Sequence, residues 1–198
     1  GPLAWRDTVL RVEGPPVQDL VTAFDNVWRR SHDTRGRRRW RDSLPGERTF
    51  PRPSPLVRLN FTMRLRFRGA SQLLTLISAS RKKLWITNAY FAPSHAIVRA
   101  ILEAAKHGAD VRVLVPRNSD VFFMPWVATS HYKQLLKAGV RVYEYLPRFL
   151  HAKTMLIDDR GLVGTSNLNR RSVFNDLEVD LFVSGAATRD QLEARFLA

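Results

Sequence analysis

The chain has 198 residues, 44% of them hydrophobic, enough to bury one good core or one and a part. It holds no run of about 18 apolar residues, so no transmembrane helix is expected, and with no cysteine it can form neither disulfides nor thiolate metal sites. A net charge of +14, from 32 basic and 18 acidic side chains, points to an anionic partner. In chain order, residues 8–12 read as a strand. Val17, Leu20, Val21, Phe24, Val27 and Trp28 follow helical spacing. Residues 31–55 form a basic Arg/Pro-rich linker. Residues 57–67 alternate apolar with polar or basic, as in a strand with one solvated face. Leu73, Leu74, Leu76 and Ile77 mark a helix from near Gly69 to Lys83, and residues 84–87 a strand. Ser94 caps a helix that carries Ile97, Ile101, Ala104 and Ala105 on one face and closes at Gly108. A strand over 111–115, a helix over 125–138 closed by Gly139, a strand over 140–145 and a strand over 151–158 complete the series. Strands alternating with helices predict a layered α/β fold.

The charge is not evenly spread. Residues 29–83 hold 16 Lys/Arg against Asp33, Asp42 and Glu47, a local excess of +13. Such a segment is either a solvated linker or a contact for an anionic surface. An acidic bilayer would gain on the order of 1 kcal/mol per basic residue. Nucleic acid would be attracted by the same charge, so charge alone does not separate the two partners.

Most chemical information lies in His151-Ala152-Lys153-Thr154-Met155-Leu156-Ile157-Asp158, followed by Gly164-Thr165-Ser166-Asn167. On a strand, residues two apart share a face, so His151 and Lys153 are expected to point the same way. Thr154 and Leu156 then point into packing. An imidazole beside a fixed ammonium suits a phosphodiester: the ring attacks phosphorus or protonates the leaving oxygen, and the lysine offsets charge on the non-bridging oxygens. Each residue has a plainer reading. A lone buried histidine is more often a satisfied core residue, a lone strand lysine a surface residue, residues 158–161 a polar hairpin turn, and Asn167 a helix cap. Their conjunction at tight spacing favours catalysis. Asp158 has the wrong strand parity to face a phosphate beside His151, so a structural role is expected for it.

This run resembles the HxKxxxxD signature of the phospholipase D superfamily, with Gly164-Thr165-Ser166-Asn167 and Glu178 standing where that family has its Gly-Ser-x-Asn element and following acid. Thr165 replaces the usual serine and keeps the hydroxyl. The stretches Asn167-Leu168-Asn169-Arg170-Arg171-Ser172 and Ile86-Thr87-Asn88-Ala89-Tyr90-Phe91-Ala92-Pro93 look like the cardiolipin synthase branch. Asp176 departs from the asparagine frequent there. The resemblance implies an α/β fold, a phospholipase D-like α/β/α sandwich with a mixed central sheet. It also implies metal-independent chemistry with no cofactor, through a phosphohistidine and a second imidazole acting as acid and base.

Within that scheme His151 is the general acid, Lys153 and Asn167 bind phosphoryl oxygens with help from Thr165 and Asn169, and Glu178 orients an imidazole. Arg170 and Arg171 are candidate substrate contacts. Family members commonly carry two such halves. The segment Asp7-Thr8-Val9-Leu10-Arg11-Val12-Glu13-Gly14 parallels Glu178-Val179-Asp180-Leu181-Phe182-Val183-Ser184-Gly185, with Asp7 opposite Glu178, and no second HxK occurs at His32, His95, His107 or His131. The expected organisation is therefore the tail of a first half over 1–30, the linker over 31–55 and a second half over 56–198. Asp7 is then the orienting acid for an absent first histidine. The missing half, or a second copy, would complete the site. The expected activity is phosphatidyl transfer of the cardiolipin synthase or phospholipase D type, on the cytoplasmic face of a bacterial-type inner membrane, as a peripheral protein. The alternatives are a phosphodiesterase acting on nucleic acid, and a catalytically silent half-domain that binds anionic lipid or nucleic acid.

Overall fold

The computed structural model describes residues 5–32, 57–60 and 62–198. The expected linker therefore lies, from residue 33 on, outside the described residues. The elements are α1 (Pro16–His32), β1 (Val57–Leu59), α2 (Met63–Ala79), β2 (Lys83–Thr87), α3 (His95–Lys106), β3 (Asp110–Pro116), α4 (Met124–Ser130), α5 (Tyr132–Lys137), β4 (Arg141–Tyr145), β5 (Thr154–Ile157), β6 (Arg160–Gly164), α6 (Arg170–Phe174), β7 (Val179–Val183) and α7 (Ala186–Leu197). One mixed sheet runs in the order β1-β7-β6-β5-β2-β3-β4. Strands β2, β3 and β4 are parallel, whereas β5 pairs antiparallel with β2, and β6, β7 and β1 continue antiparallel.

Strand periodicity sorts the core onto two faces. Leu84, Ile86, Val113, Met155, Ile157 and Leu162 face α2, α3 and α5, where they meet Ile77, Ile101 and Leu135. Trp85, Leu156 and Val163 face the other way, onto Leu192 and Phe196 of α7. The result is an α/β/α sandwich. Both faces of β5 are buried, so Met155 and Ile157 are packed as well as Leu156, and only Thr154 at the strand's start is partly exposed.

Several boundaries differ from the sequence reading. Residues 8–12 form no strand: Arg6 makes an isolated parallel bridge to Leu150, and Val9 is 93% exposed with no paired neighbour. A strand needs a partner for its ladder, and none of the described strands lies beside this segment. The strand expected over 57–67 stops at Leu59. The Thr62 hydroxyl accepts the Leu65 N–H at 3.2 Å and starts a helix there, six residues before Gly69. That helix ends at Ala79 rather than Lys83. The helix expected over 125–138 is two helices. The hydroxyls of Thr129 and Ser130 donate to the carbonyls of Trp126 and Val127, and the His131 N–H reaches back to Ala128, which tightens the turn at the break. Among the described residues, no helix is long and apolar enough to cross a membrane.

Asp158 opens the two-residue turn between β5 and β6 with φ 51°, a conformation that aspartate tolerates better than most side chains. Its carboxylate accepts the N–H groups of Arg81, Lys82 and Lys83 at 2.8–3.1 Å and the Ser80 hydroxyl at 3.1 Å. It thus ties the loop before β2 to the far end of β5 from His151. Burial pushes this carboxyl up, but the hydrogen bonds from Lys83, Lys82, Arg81 and Ser80 outweigh it and hold it below its ordinary value. A depressed folded value contributes stability that is full above the unfolded value of about 3.9 and is lost as pH falls through the folded one. Asp158→Asn should cost roughly 1–3 kcal/mol in urea unfolding at pH 7. That difference should shrink below about pH 4. A pH-independent difference would contradict this account.

Candidate active site

The sheet register brings five loops to one edge. The carboxyl ends of the parallel strands β2, β3 and β4 lie together. Because β5 is antiparallel to β2, with Thr87 opposite Thr154, the residues before β5 lie there too. β6 ends at this edge and β7 begins there, with Gly164 opposite Asp180. His151, Lys153, Asn167 and Glu178 are therefore neighbours in space although 27 residues separate the first from the last. Crevices at the carboxyl ends of such strands are where open α/β sheets bind ligands.

His151 and Lys153 precede β5, which starts at Thr154, so an extended segment outside the strand and not strand parity positions them. The parallel bridge does the holding: the Arg6 N–H donates to the Phe149 carbonyl and the His151 N–H to the Arg6 carbonyl, both at 2.8 Å. This pins Asp7 beside the imidazole, and its Oδ2 lies 2.8 Å from His151 Nδ1. An ionised carboxylate only accepts, so the proton of this bond sits on Nδ1, and Nε2 of the neutral ring is left with a free lone pair. Aromatic rings wall the imidazole. Trp5 is 4.9 Å away between centroids, Phe149 6.0 Å, and Tyr90 stands edge-on at 6.4 Å.

Lys153 is 7% exposed, and its ammonium donates to the His151 carbonyl. Burial lowers it from 10.5 to about 8, against the upward pull of the carboxylates of Asp7, Glu178 and Asp120.

The Gly164–Asn169 loop is held from beneath by a buried ion pair that sequence reasoning missed. The alternation over 57–67 puts Arg58 on a solvated strand face. It instead pairs with Asp180, which is 1% exposed, and Asp180 also takes the Ser166 hydroxyl at 2.6 Å and the Ser166 N–H at 3.2 Å. A Cβ on Gly164 would stand 1.9 Å from Asp180 Oδ1, which is why only glycine fits. Asn167 Oδ1 accepts the Tyr90 N–H at 3.3 Å, and the Leu168 N–H donates to Asn88 Oδ1 at 3.2 Å. Asn169, not Asn167, is the helix cap, accepting the Ser172 N–H at 2.8 Å. Arg171 pairs with Asp176 at the surface, and Arg170 lies exposed over Phe174.

Glu178 differs most from expectation. Its carboxylate takes the Thr165 hydroxyl, and Thr165 Oγ1 accepts the Val179 N–H at 3.0 Å. Burial pushes this carboxyl up; the hydroxyls of Thr165 and Ser172 oppose the shift, and nearby Asp180 and Asp176 add to it. Among the described residues, no imidazole hydrogen-bonds to Glu178. The acid beside His151 is Asp7, whereas the repeat pairs Asp7 with a first histidine outside this sequence. A repeat shows that two acids are equivalent within their units but not which ring each faces across a boundary. Tyr90, Asp120 and Asn88 were also missed as site residues. Asn88 and Tyr90 lie in the Ile86–Pro93 stretch that carries the resemblance, whereas the only signal for Asp120 is its position after a predicted strand. A cavity of about 160 Å³ lies behind the Asn167 loop, lined by Leu65, Gly69, Leu73, Leu168 and Phe174 among others, and His151 and Lys153 do not line it.

The family model described as "Cardiolipin synthase, PLD-like domain" matches residues 73–198. This chain belongs to that family. Among its relatives, "Probable cardiolipin synthase YwiE" of Bacillus subtilis (strain 168) is 34% identical over 199 residues, covering 97% of this chain and 38% of that protein. "Cardiolipin synthase" of Clostridium perfringens (strain SM101 / Type A) is 29% identical over 197 residues, covering 97% and 41%. The chain thus spans well under half the length of these curated relatives. Among solved structures, the phospholipase D family member Nuc from Salmonella typhimurium superposes with a TM-score of 0.54 at 13% identity, covering 65% of this chain and 84% of that one. NucT from Helicobacter pylori gives 0.53 at 18% identity, covering 71% and 91%. The fold is the phospholipase D fold.

The Gly164 contact gives a test of the loop. Gly164→Ala should break the Arg58–Asp180 pair and cost roughly 3–5 kcal/mol in urea unfolding. Combined with Asp180→Ala it should cost clearly less than the sum of the two. Additive losses would contradict the coupling.

Proposed function

We propose that this chain supplies one half of a cardiolipin synthase-like phosphatidyltransferase site. The supporting observation is the pairing of acids. Asp7 comes from the segment preceding the linker and orients His151. Glu178, from the same unit as His151, has hydroxyl partners but no imidazole among the described residues. Two halves that exchange acids in this way give each imidazole a carboxylate from across the boundary. Glu178 then awaits the imidazole of a preceding half or of a second copy.

In this reading the incoming imidazole attacks phosphorus and forms a phosphohistidine. His151, protonated at Nε2, gives that proton to the departing alcohol oxygen. It then takes the proton of the acceptor hydroxyl as that oxygen displaces the phosphohistidine nitrogen. Lys153 offsets charge on the non-bridging oxygens, and Asn167 and Thr165 flank the phosphoryl group. Asp7 holds the ring's tautomer as the carboxylate of a catalytic triad does. Donor and acceptor are best read as phosphatidylglycerol, giving cardiolipin and glycerol.

The surroundings of the site favour lipid over nucleic acid. Trp5, Phe122, Phe123, Leu146 and Leu177 are exposed on the loops of the same sheet edge, and Trp126 is exposed on α4, which follows one of them. Phe122 packs edge-on against both Phe123 and Trp126. Arg148 and Arg170 are exposed there and make no ion pair among the described residues. Large aromatic side chains with cationic neighbours suit the headgroup level of an anionic bilayer.

With the complete gene product and phosphatidylglycerol vesicles, cardiolipin should form. His151→Ala should reduce the rate at least about 100-fold. Cleavage of single-stranded DNA without lipid turnover would sink the reading, and so would vesicle binding with no turnover of either substrate. The pH profile follows from Lys153. Its ammonium is the phosphate-binding form, present below about 8 and lost above it. Hence kcat/KM should fall as pH rises through about 8, and Lys153→Arg, whose guanidinium keeps its proton, should remove the lysine's share of that fall and leave only the part set by the proton that His151 must carry. A profile that stays flat to pH 10 would contradict the buried lysine's role.

A further inference from the structure

Building on the phosphatidyl-transfer reading, we propose that Tyr90 and Asp120 form a subsite for a polyol acceptor, binding the neighbouring hydroxyl groups of a glycerol-type head beside His151. The two residues lie on the loops after the adjacent parallel strands β2 and β3, at the sheet edge that carries the imidazole. The Tyr90 hydroxyl donates to both oxygens of Asp120, at 2.8 and 2.9 Å. Its ring stands edge-on to His151 at 6.4 Å and lies 6.3 Å from Phe149. Ser119 Oγ makes a long contact of 3.4 Å to the same carboxylate. No lysine or arginine among the described residues pairs with Asp120, which is exposed.

A carboxylate without a cation is out of place beside a phosphate site, because it repels the very charge that Lys153 attracts. Its field reaches that lysine, where it acts against desolvation. A carboxylate is an acceptor only, so a ligand that binds it must bring donors. A phosphodiester at neutral pH offers none, whereas a diol offers two O–H groups. The phenol stays a donor at working pH, because burial, then the Asp120 carboxylate, push it up to about 12. The rings of Tyr90 and Phe149 give the C–H face of a polyol an apolar wall. Bound in this way, one hydroxyl is held by the Tyr90–Asp120 pair while its neighbour is turned toward the phosphorus and the imidazole. Water has no second hydroxyl to anchor, so the subsite favours transfer to a polyol over hydrolysis. A pocket built to hydrogen-bond a hydroxyl discriminates strongly against a ligand that lacks it.

The plainer alternative is a strap that ties two loops together and touches no substrate. The two are separated by comparing acceptors in the complete gene product, with phosphatidylglycerol as donor. Deuterated glycerol and 1-propanol are supplied in competition, and labelled phosphatidylglycerol and phosphatidylpropanol are counted by mass spectrometry. The wild type should prefer glycerol. Asp120→Asn should lower the glycerol-to-propanol ratio about tenfold, through the KM for glycerol. Tyr90→Phe, which keeps the ring, should lower it about threefold or more. An unchanged ratio in both variants, including equal loss with both acceptors, would reduce the pair to a strap and overturn the proposal. A wild type with no lipid turnover would remove the phosphatidyl-transfer reading, and the subsite with it. Transfer that prefers propanol would overturn the subsite alone.

Discussion

The antiparallel pairing of β5 with β2 is the constraint on which the rest of the site depends. With Leu84 opposite Ile157 and Thr87 opposite Thr154, the start of β5 is level with the carboxyl ends of three parallel strands. A slip of one residue would reverse the faces of Met155, Leu156 and Ile157, all buried, so the two cores enforce the register. At the far end Asp158 locks the same register by taking three backbone N–H groups from the loop before β2. Packing and a polar anchor thus deliver His151 and Lys153 to the edge where the loops after β2, β3 and β6 converge.

Charge is arranged there in two tiers. Beneath the surface, Arg58 and Asp180 form a closed pair that shapes the Gly164–Asn169 loop. Breaking such a pair is costly because it strands a buried charge, so the pair specifies one loop conformation more than it adds net stability. Above it, the charges are left partly uncompensated. Among the described residues, no carboxylate hydrogen-bonds to the buried Lys153 and no cation pairs with Glu178. These are the groups whose protonation burial disfavours or raises, and such perturbed groups clustered in one crevice mark a site built for binding or chemistry. Asp7 completes His151 from outside the sheet, and Glu178 is left facing a position that no described histidine fills.

Much of this was legible in the sequence, and for physical reasons. Ser94 and Gly108 bounded α3 because a cap and a left-handed closing residue act locally. The continuous apolar run Leu84, Trp85 and Ile86 was readable as a strand because a sandwiched sheet buries both parities. The His151 run named the chemistry because few folds bring an imidazole, an ammonium and a carboxamide into such tight spacing. What escaped depends on contacts far apart in the chain. Residues 8–12 have strand composition but no neighbour. The alternation of Met63, Leu65 and Phe67 also satisfied a strand until the Thr62 cap decided for a helix. Arg58 looked solvated because its partner lies 122 residues away. The identity of the acid beside His151 was likewise a question of tertiary placement, which an internal repeat does not answer.

The central claim is that Asp7, and not Glu178, orients His151. Ring-nitrogen NMR of histidine-labelled protein reads this directly, because the two neutral tautomers have distinct nitrogen shifts. The account predicts that neutral His151 is held as the Nδ1–H form in the wild type and in Glu178→Gln, and that Asp7→Asn releases it to a mixture of tautomers. A tautomer that survives Asp7→Asn but is lost in Glu178→Gln would contradict it.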